Sequence, residues 1–305
     1  MTRKRRTRGW FLRQTVTYVA AMATFVYVMS PVIWLFISSL ETEEALASIP
    51  AVLLPGPDKV TINHYYFVLT GFFPSGAMES LEVVRTIMGL QIMPTLVNSL
   101  IIATSVTALS LLLGIGAAYS FARIRFAASR KLFVGMIATR LLPYISMAIP
   151  MYLIMKTLTL LDTLLGLILV YTVLTMPFTV WLLATYFRGL PQSYEEAAAL
   201  DGCSRFQILR RVVLPLARSG LIAVGIFAFM EAFGEFIFAL VLTQTVASKT
   251  LPVTLASMSA EILWTGRGVL MASTAIALLP PILMSVIFRK YVIEGLTSQY
   301  VVESR

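Results

Sequence analysis

The sequence predicts an all-α integral membrane protein with six transmembrane helices, and three observations carry that expectation. Of 305 residues, 58% are hydrophobic and only 13% are charged, against roughly 25% charged in a soluble domain. A bilayer crossing takes about 20 mainly apolar residues. Six such runs occur, near residues 15–40, 92–121, 132–155, 164–187, 219–242 and 269–288. The segments that join them alternate in charge, with eighteen basic residues on one side and five on the other, which is the asymmetry that orients a membrane chain.

The basic N-terminal stretch, 1–14, holds Arg3, Lys4, Arg5, Arg6, Arg8 and Arg13 and is expected in the cytoplasm. Further inside segments hold Arg123, Arg125, Arg130 and Lys131, then Arg188, Arg205, Arg210, Arg211 and Arg218, then Arg289, Lys290 and Arg305 in the tail 289–305. Outside stand Lys59, Arg85, Lys156, Lys249 and Arg267, so both termini are expected inside. This distribution accounts for the net charge of +9 without a nucleic-acid partner. The first span, 15–40, resembles a secretory signal followed by a cleavable Ala45-Leu46-Ala47. It exceeds the 7–15 apolar residues of a signal core and is followed by Glu41, Glu43 and Glu44, so it is expected to remain as a helix.

The outside segment 41–91 opens on Pro50, Pro55, Gly56 and Pro57, an irregular start. A surface helix is expected near 78–91, where Met78, Leu81, Val84, Ile87 and Met88 recur opposite Glu79, Glu82 and Arg85. The one histidine, His64, has no neighbouring ligand residues and the one cysteine, Cys203, has no partner, so neither a metal site nor a disulfide is expected. One His, one Cys and no metal-spaced carboxylates leave no catalytic constellation, which argues against an enzyme.

The inside segment 188–218 reads as two capped helices. Ser193 with Glu196 fits a capping box, Ala197, Ala198, Ala199 and Leu200 continue a strong helix former, and Gly202 supplies the left-handed stop. Ser204 with Gln207 opens a second box, and Pro215 ends or kinks that helix where it meets the fifth span. Two short helices meeting at a glycine form an elbow suited to docking.

The run Glu196-Ala197-Ala198-Ala199-Leu200-Asp201-Gly202, with Val212-Val213-Leu214-Pro215 nine residues on, resembles the EAA signature of binding-protein-dependent ABC permeases. Val212 stands where that pattern usually has Ile. Over most of the chain the resemblance is to the smaller, MalG-like membrane subunit of maltose-type importers. Asn98-Ser99-Leu100, Ala118-Tyr119-Ser120-Phe121-Ala122-Arg123, Pro143 with Pro150, and Gly295-Leu296-Thr297 all fall as in that family. The tail Ser298–Arg305 and a longer first outside segment depart from it. The resemblance implies the type-1 ABC importer permease (MetI-like) fold, with 92–288 as the ABC transmembrane type-1 domain. It also implies a cytoplasmic ABC ATPase dimer docking on Glu195, Glu196, Ala197, Ala198, Asp201, Gly202, Leu214 and Pro215. A second homologous permease and an extracytoplasmic solute-binding protein complete the implied assembly, the latter meeting Thr254, Ser257, Trp264 and Gly266 of the outside segment 244–268. Membrane lipid surrounds the spans. The implied solute is a sugar or a sugar-like molecule, and its ligands are left unassigned. No Lys follows a Gly, so the phosphate loop of ATPases is absent, and ATP and Mg belong to the partner.

Arg140, Glu231 and Glu235 lie inside predicted spans. They are the groups an ion-gradient-driven secondary transporter would use, the rival reading. Counted along straight spans, Arg140 lies about 12 Å deep, Glu231 about 18 Å and Glu235 about 24 Å. These depths predict an Arg140–Glu231 ion pair, with Glu235 one turn farther out on the same helix face as Glu231.

Overall fold

The computed structural model describes residues 8–48, 55–72, 90–124, 126–260 and 266–302, with side chains described from 13 to 291. Of the expected surface helix, residues 78–89 lie outside the described ones, and so does Trp264. Among the described residues, four helices are long and apolar enough to cross a membrane: Arg13–Ser38, Ile92–Arg123, Leu164–Arg188 and Arg267–Tyr291. Two helix pairs are apolar enough when taken together but are sharply bent, Ser129–Leu141 with Tyr144–Thr157 at 100° and Arg205–Leu216 with Arg218–Phe233 at 81°. The third run, 132–155, is corrected from a straight span to a bent one, and the fifth, 219–242, is interrupted between Phe233 and Ile237, while the 81° corner falls where the elbow's second helix meets it, as Pro215 led one to expect.

Proline accounts for both bends. Pro143 pushes Leu142 into the extended conformation, φ −73° and ψ 127°, because its ring crowds the preceding residue out of the helical region. Pro215 lacks the N–H that would continue the ladder, a turn of π-helix at Leu209–Val213 precedes it, and the corner falls at Ala217.

The chain forms two compact units, one of residues 1–90 and 258–276, the other of 91–257 and 277–305. The first holds helix α1 (Arg8–Ser38), α2 (Glu43–Ala47), a 3-10 turn at Pro57–Lys59 and α3 (Asn63–Thr70). The apolar window of α1 is 0% buried, so lipid or a partner chain must cover it. Thr42 caps α2 through its hydroxyl, which accepts from the Ala45 amide at 3.3 Å, and Glu41 bridges Val60. His64 is buried, with Nε2 2.9 Å from the Glu41 carbonyl. Its ring lies so close to Gly268 that a Cβ there would overlap it. The Glu43 carboxylate accepts from the amides of Arg267 and Gly268 at 3.1 and 2.9 Å, capping the last helix.

The second unit is built on α4 (Ile92–Arg123), α5 (Ser129–Ala138), α6 (Tyr144–Thr157), α7 (Leu164–Arg188), α8 (Ser193–Leu200), α9 (Arg205–Ile208), α10 (Leu214–Leu216), α11 (Arg218–Phe233) and α12 (Ile237–Leu242). Residues of α13 (Leu251–Ala260) and α14 (Arg267–Val302) belong to both units. Its centre is α4 packed along α7, with α11 against both. Small residues permit that approach: Ser99, Ala103, Ser110, Gly114 and Ala118 line the buried face of α4, the small-residue stripe by which membrane helices bring their backbones together. A Cβ on Gly114 would stand 3.1 Å from Thr179 Cγ2, and Ser110 and Thr175 share a hydrogen bond of 2.8 Å across the contact.

Candidate functional site

The elbow is built on an apolar base at one end of the second unit. Ile208, Leu209 and Val213 join Ala118, Tyr119, Leu183, Ala184 and Phe187 in one buried cluster, with Ala198 and Cys203 packed against it. Ser204 and Gln207 form the second capping box as expected: the Gln207 amide donates to Ser204 Oγ at 3.3 Å and the Ser204 amide to Gln207 Oε1 at 2.7 Å. Gly202 adopts φ +82°, the left-handed stop of α8.

The first capping box does not form. Gln192 is the N-cap of α8, it is helical itself, and Ser193 already lies within the helix. With its backbone helical, Ser193 cannot aim its hydroxyl at the first-turn amides. Glu196 is therefore left exposed, together with Ala197, Asp201 and Gly202. Tyr194, Leu200 and Phe206 are exposed apolar side chains beside them. Ala198 and Leu214 are half-buried, and Pro215 is exposed.

Glu195 has a different place from Glu196. It is buried, and its carboxylate accepts from Arg123 Nε at 2.6 Å and from the Tyr119 hydroxyl at 3.0 Å. The Arg123 guanidinium also donates to the Leu190 carbonyl at 2.9 Å, and the side chains of Arg123 and Glu195 are 5% and 8% exposed. Arg188 adds a bond to the Phe121 carbonyl at 3.2 Å. Tyr119 and Arg123 are four residues apart and share one face of α4. That spacing, beside a doublet of acids of which one must turn inward, is the signal by which sequence alone could have found the cluster.

Within the spans, Arg140 meets Glu231 at 2.5 Å, so the expected pair is present. The same guanidinium donates to the Tyr144 hydroxyl at 2.7 Å and the Leu174 carbonyl at 3.1 Å, while Tyr144 donates to Glu231 at 3.0 Å. The Phe178 ring lies 5.4 Å from the guanidinium carbon, within cation–π range. Tyr144 was not among the expected groups, because the break at Pro143 is what places the start of α6 beside Arg140. Depth counted along a straight helix therefore gives the right partners by the wrong path. Glu235 is corrected: it does not share a helix face with Glu231, because α11 ends at Phe233. Its carboxylate accepts from the amides of Phe238 and Ala239 at 3.0 and 3.2 Å and so caps the start of α12.

At the other end of α4, the Asn98 amide donates to the carbonyls of Val246, Ala247 and Lys249 at 2.9, 3.2 and 3.0 Å. Ser99 Oγ accepts from the Leu251 amide at 2.8 Å. Asp162, at φ +57°, clamps the same loop: its carboxylate accepts from the Gln244 and Thr245 amides, the Thr245 hydroxyl and the Ser248 hydroxyl. Burial pulls the Asp162 carboxyl upward, but those hydrogen bonds, from Ser248 and then from Gln244 and Thr245, outweigh it and hold the group well below the usual carboxylate range. Of the four residues assigned to a binding protein, Thr254 is buried with its hydroxyl on the Thr250 carbonyl. Ser257 is exposed. Gly266, at φ +84°, is the buried turn residue that leads into α14, and Trp264 lies outside the described residues.

Residues 110–297 match the family model described as binding-protein-dependent transport system inner membrane component. The chain is similar to the sulfoquinovosyl glycerol transport system permease protein SmoH of Agrobacterium fabrum, 30% identical over 290 residues that cover 95% of this chain and 94% of that one. It is similar also to the trehalose transport system permease protein SugB of Mycobacterium tuberculosis, 31% identical with 92% and 96% of the two chains covered. A third relative is the trehalose/maltose transport system permease protein MalG of Thermococcus litoralis, 29% identical with 94% and 96% covered. The fold matches a chain in the crystal structure of a bacterial ABC transporter involved in the import of the acidic polysaccharide alginate. The TM-score is 0.73 at 22% identity, covering 93% of this chain and 98% of that one. The polytopic bundle, the elbow and these likenesses together place the chain in the binding-protein-dependent transport system inner membrane component family, the permease subunits of ABC importers.

Proposed function

We propose that this multi-pass chain is the translocation subunit through which a sugar or sugar-like solute crosses the bacterial inner membrane, with both termini in the cytoplasm. The observation that supports this most is the elbow: an exposed face of Tyr194, Glu196, Ala197, Leu200 and Asp201 stands on a base of buried apolar residues. A docking surface of that kind can receive force without deforming, because a packed base transmits strain. A cytoplasmic ATPase dimer engages it and binds the ATP and Mg, while this chain performs no chemistry. A second permease completes the pathway, and an extracytoplasmic binding protein delivers the solute. The relatives named for sulfoquinovosyl glycerol, trehalose and maltose transport support the solute class.

The gradient-driven alternative gains nothing from the intramembrane charges. Arg140 and Glu231 are spent on each other, and Glu235 on two backbone amides. Affinity purification from gently solubilised native membranes tests the proposal. A nucleotide-binding subunit should co-purify at a fixed ratio and be lost on Glu196→Lys. Recovery of the chain with no ATPase under several mild detergents would overturn it.

A further inference from the structure

Among the described residues four long apolar helices are continuous, and of these α4 carries polar clasps at both of its ends. It runs 32 residues without a break, about 48 Å at 1.5 Å per residue. At its cytoplasmic end Tyr119 and Arg123 hold Glu195 of α8, and Arg123 also holds the Leu190 carbonyl. At its outer end Asn98 holds three carbonyls of the loop before α13, and Ser99 holds the Leu251 amide. Between the clasps the small-residue face keeps α4 seated along α7.

The fifth span offers no such path. It leaves the elbow at an 81° corner between Leu216 and Arg218, and its helix stops at Phe233. A push on the elbow that ran through α10 and α11 would be absorbed at that corner. A push that runs through Glu195 meets an unbroken helix through a buried, charge-assisted bond between Arg and carboxylate, which is short and strong. The clasp is also protected from solvent, with both side chains under a tenth exposed, so salt screens it little.

We infer that α4 is a transmission rod: Glu195, Arg123 and Tyr119 fasten it to the docking elbow, and Asn98 and Ser99 fasten it to the outer loop 243–251, so that ATPase closure is felt at that loop. Glu195 is thus a positioning residue rather than a docking one, and Glu196 beside it is the face offered to the partner. This inference deepens the importer reading and rests on it. It adds which helix carries the motion and which side chains grip it.

The test uses the complex purified with its ATPase in lipid nanodiscs, with ATP and vanadate as the trapping probe and amide hydrogen exchange of Gln244, Thr245 and Leu251 as the readout. In the native complex, trapping should change that exchange by about tenfold, the factor given by about 1.4 kcal/mol of opening free energy. Arg123→Ala combined with Glu195→Ala removes the inner clasp without stranding a charge. It should erase the change while ATPase binding persists, whereas Glu195→Gln, which keeps the hydrogen-bonding shape, should retain at least about half of it. Asn98→Ala tests the outer clasp by the same readout should the double variant not reach the membrane. A native complex whose loop ignores trapping, or a full-sized change in either clasp variant, overturns the rod. A native chain that brings down no ATPase overturns the importer reading instead.

Discussion

At the scale of the residue, two positions separate the work of docking from the work of folding. Gly202 sits at φ +82° with open space where a Cβ would stand, so Gly202→Asp meets no clash and costs only the left-handed backbone penalty of about 1–2 kcal/mol. We expect it to insert normally and, like Glu196→Lys, to lose solute-stimulated ATPase activity. Wild-type coupling in both variants would show that the exposed face is not the docking surface. Arg140→Ala strands Glu231 inside the spans. Because each partner keeps about a quarter of its side-chain exposure, 27% and 22%, the cost should be about 2–3 kcal/mol, below that of a fully buried pair. The double change to alanine at 140 and 231 should restore most of the lost yield of assembled complex, as measured by size-exclusion recovery. The pair itself was legible from sequence, since charge inside a span demands a partner. What could not be read was which of two adjacent acids, Glu195 or Glu196, turns inward. That depends on where α8 begins, and Gln192 begins it earlier than the serine signal suggested.

At the scale of the element, composition located the apolar segments among the described residues, but only coordinates show which ones break. Pro143 and Pro215 mark positions where a helix can fail, yet Pro150, Pro177, Pro280 and Pro281 lie inside helices that continue. In a membrane the freed backbone groups find partners in neighbouring segments, so proline alone does not decide. The seat of α4 on α7 gives an element-level prediction: Gly114→Leu forces side-chain bulk against Thr179 and Val180. It should lower stability by about 1–3 kcal/mol, the usual range for overpacking, seen as a lower midpoint in thermal unfolding of the purified complex. Gly114→Ala should cost less, since Thr179 need yield only slightly to its Cβ. The loop 243–251 offers a pH test. Asp162 has a folded-state pKa depressed below its ordinary 3.8, so its stabilisation is complete above that value and is lost as pH falls toward the lower folded value. Asp162→Ala should therefore speed amide exchange at Gln244 and Thr245 by about tenfold at pH 7. Its effect should shrink below pH 3.8. An equal effect at pH 3 and pH 7 would show that the clamp is not ionic.

At the scale of the whole molecule, the described residues form apolar helices with polar clusters at the elbow, between Arg140 and Glu231, and at the loop 243–251. An exposed elbow, a neutralised pair within the spans and a clasped loop at 243–251 are consistent with a subunit driven from outside itself. The most direct test is solute uptake by the purified complex in proteoliposomes, supplied with its binding protein and a panel of oligosaccharides, in the presence of ionophores that collapse all ion gradients. Uptake that requires ATP inside and survives the ionophores is the predicted result. Uptake that proceeds without ATP and stops when the gradients are collapsed would contradict it.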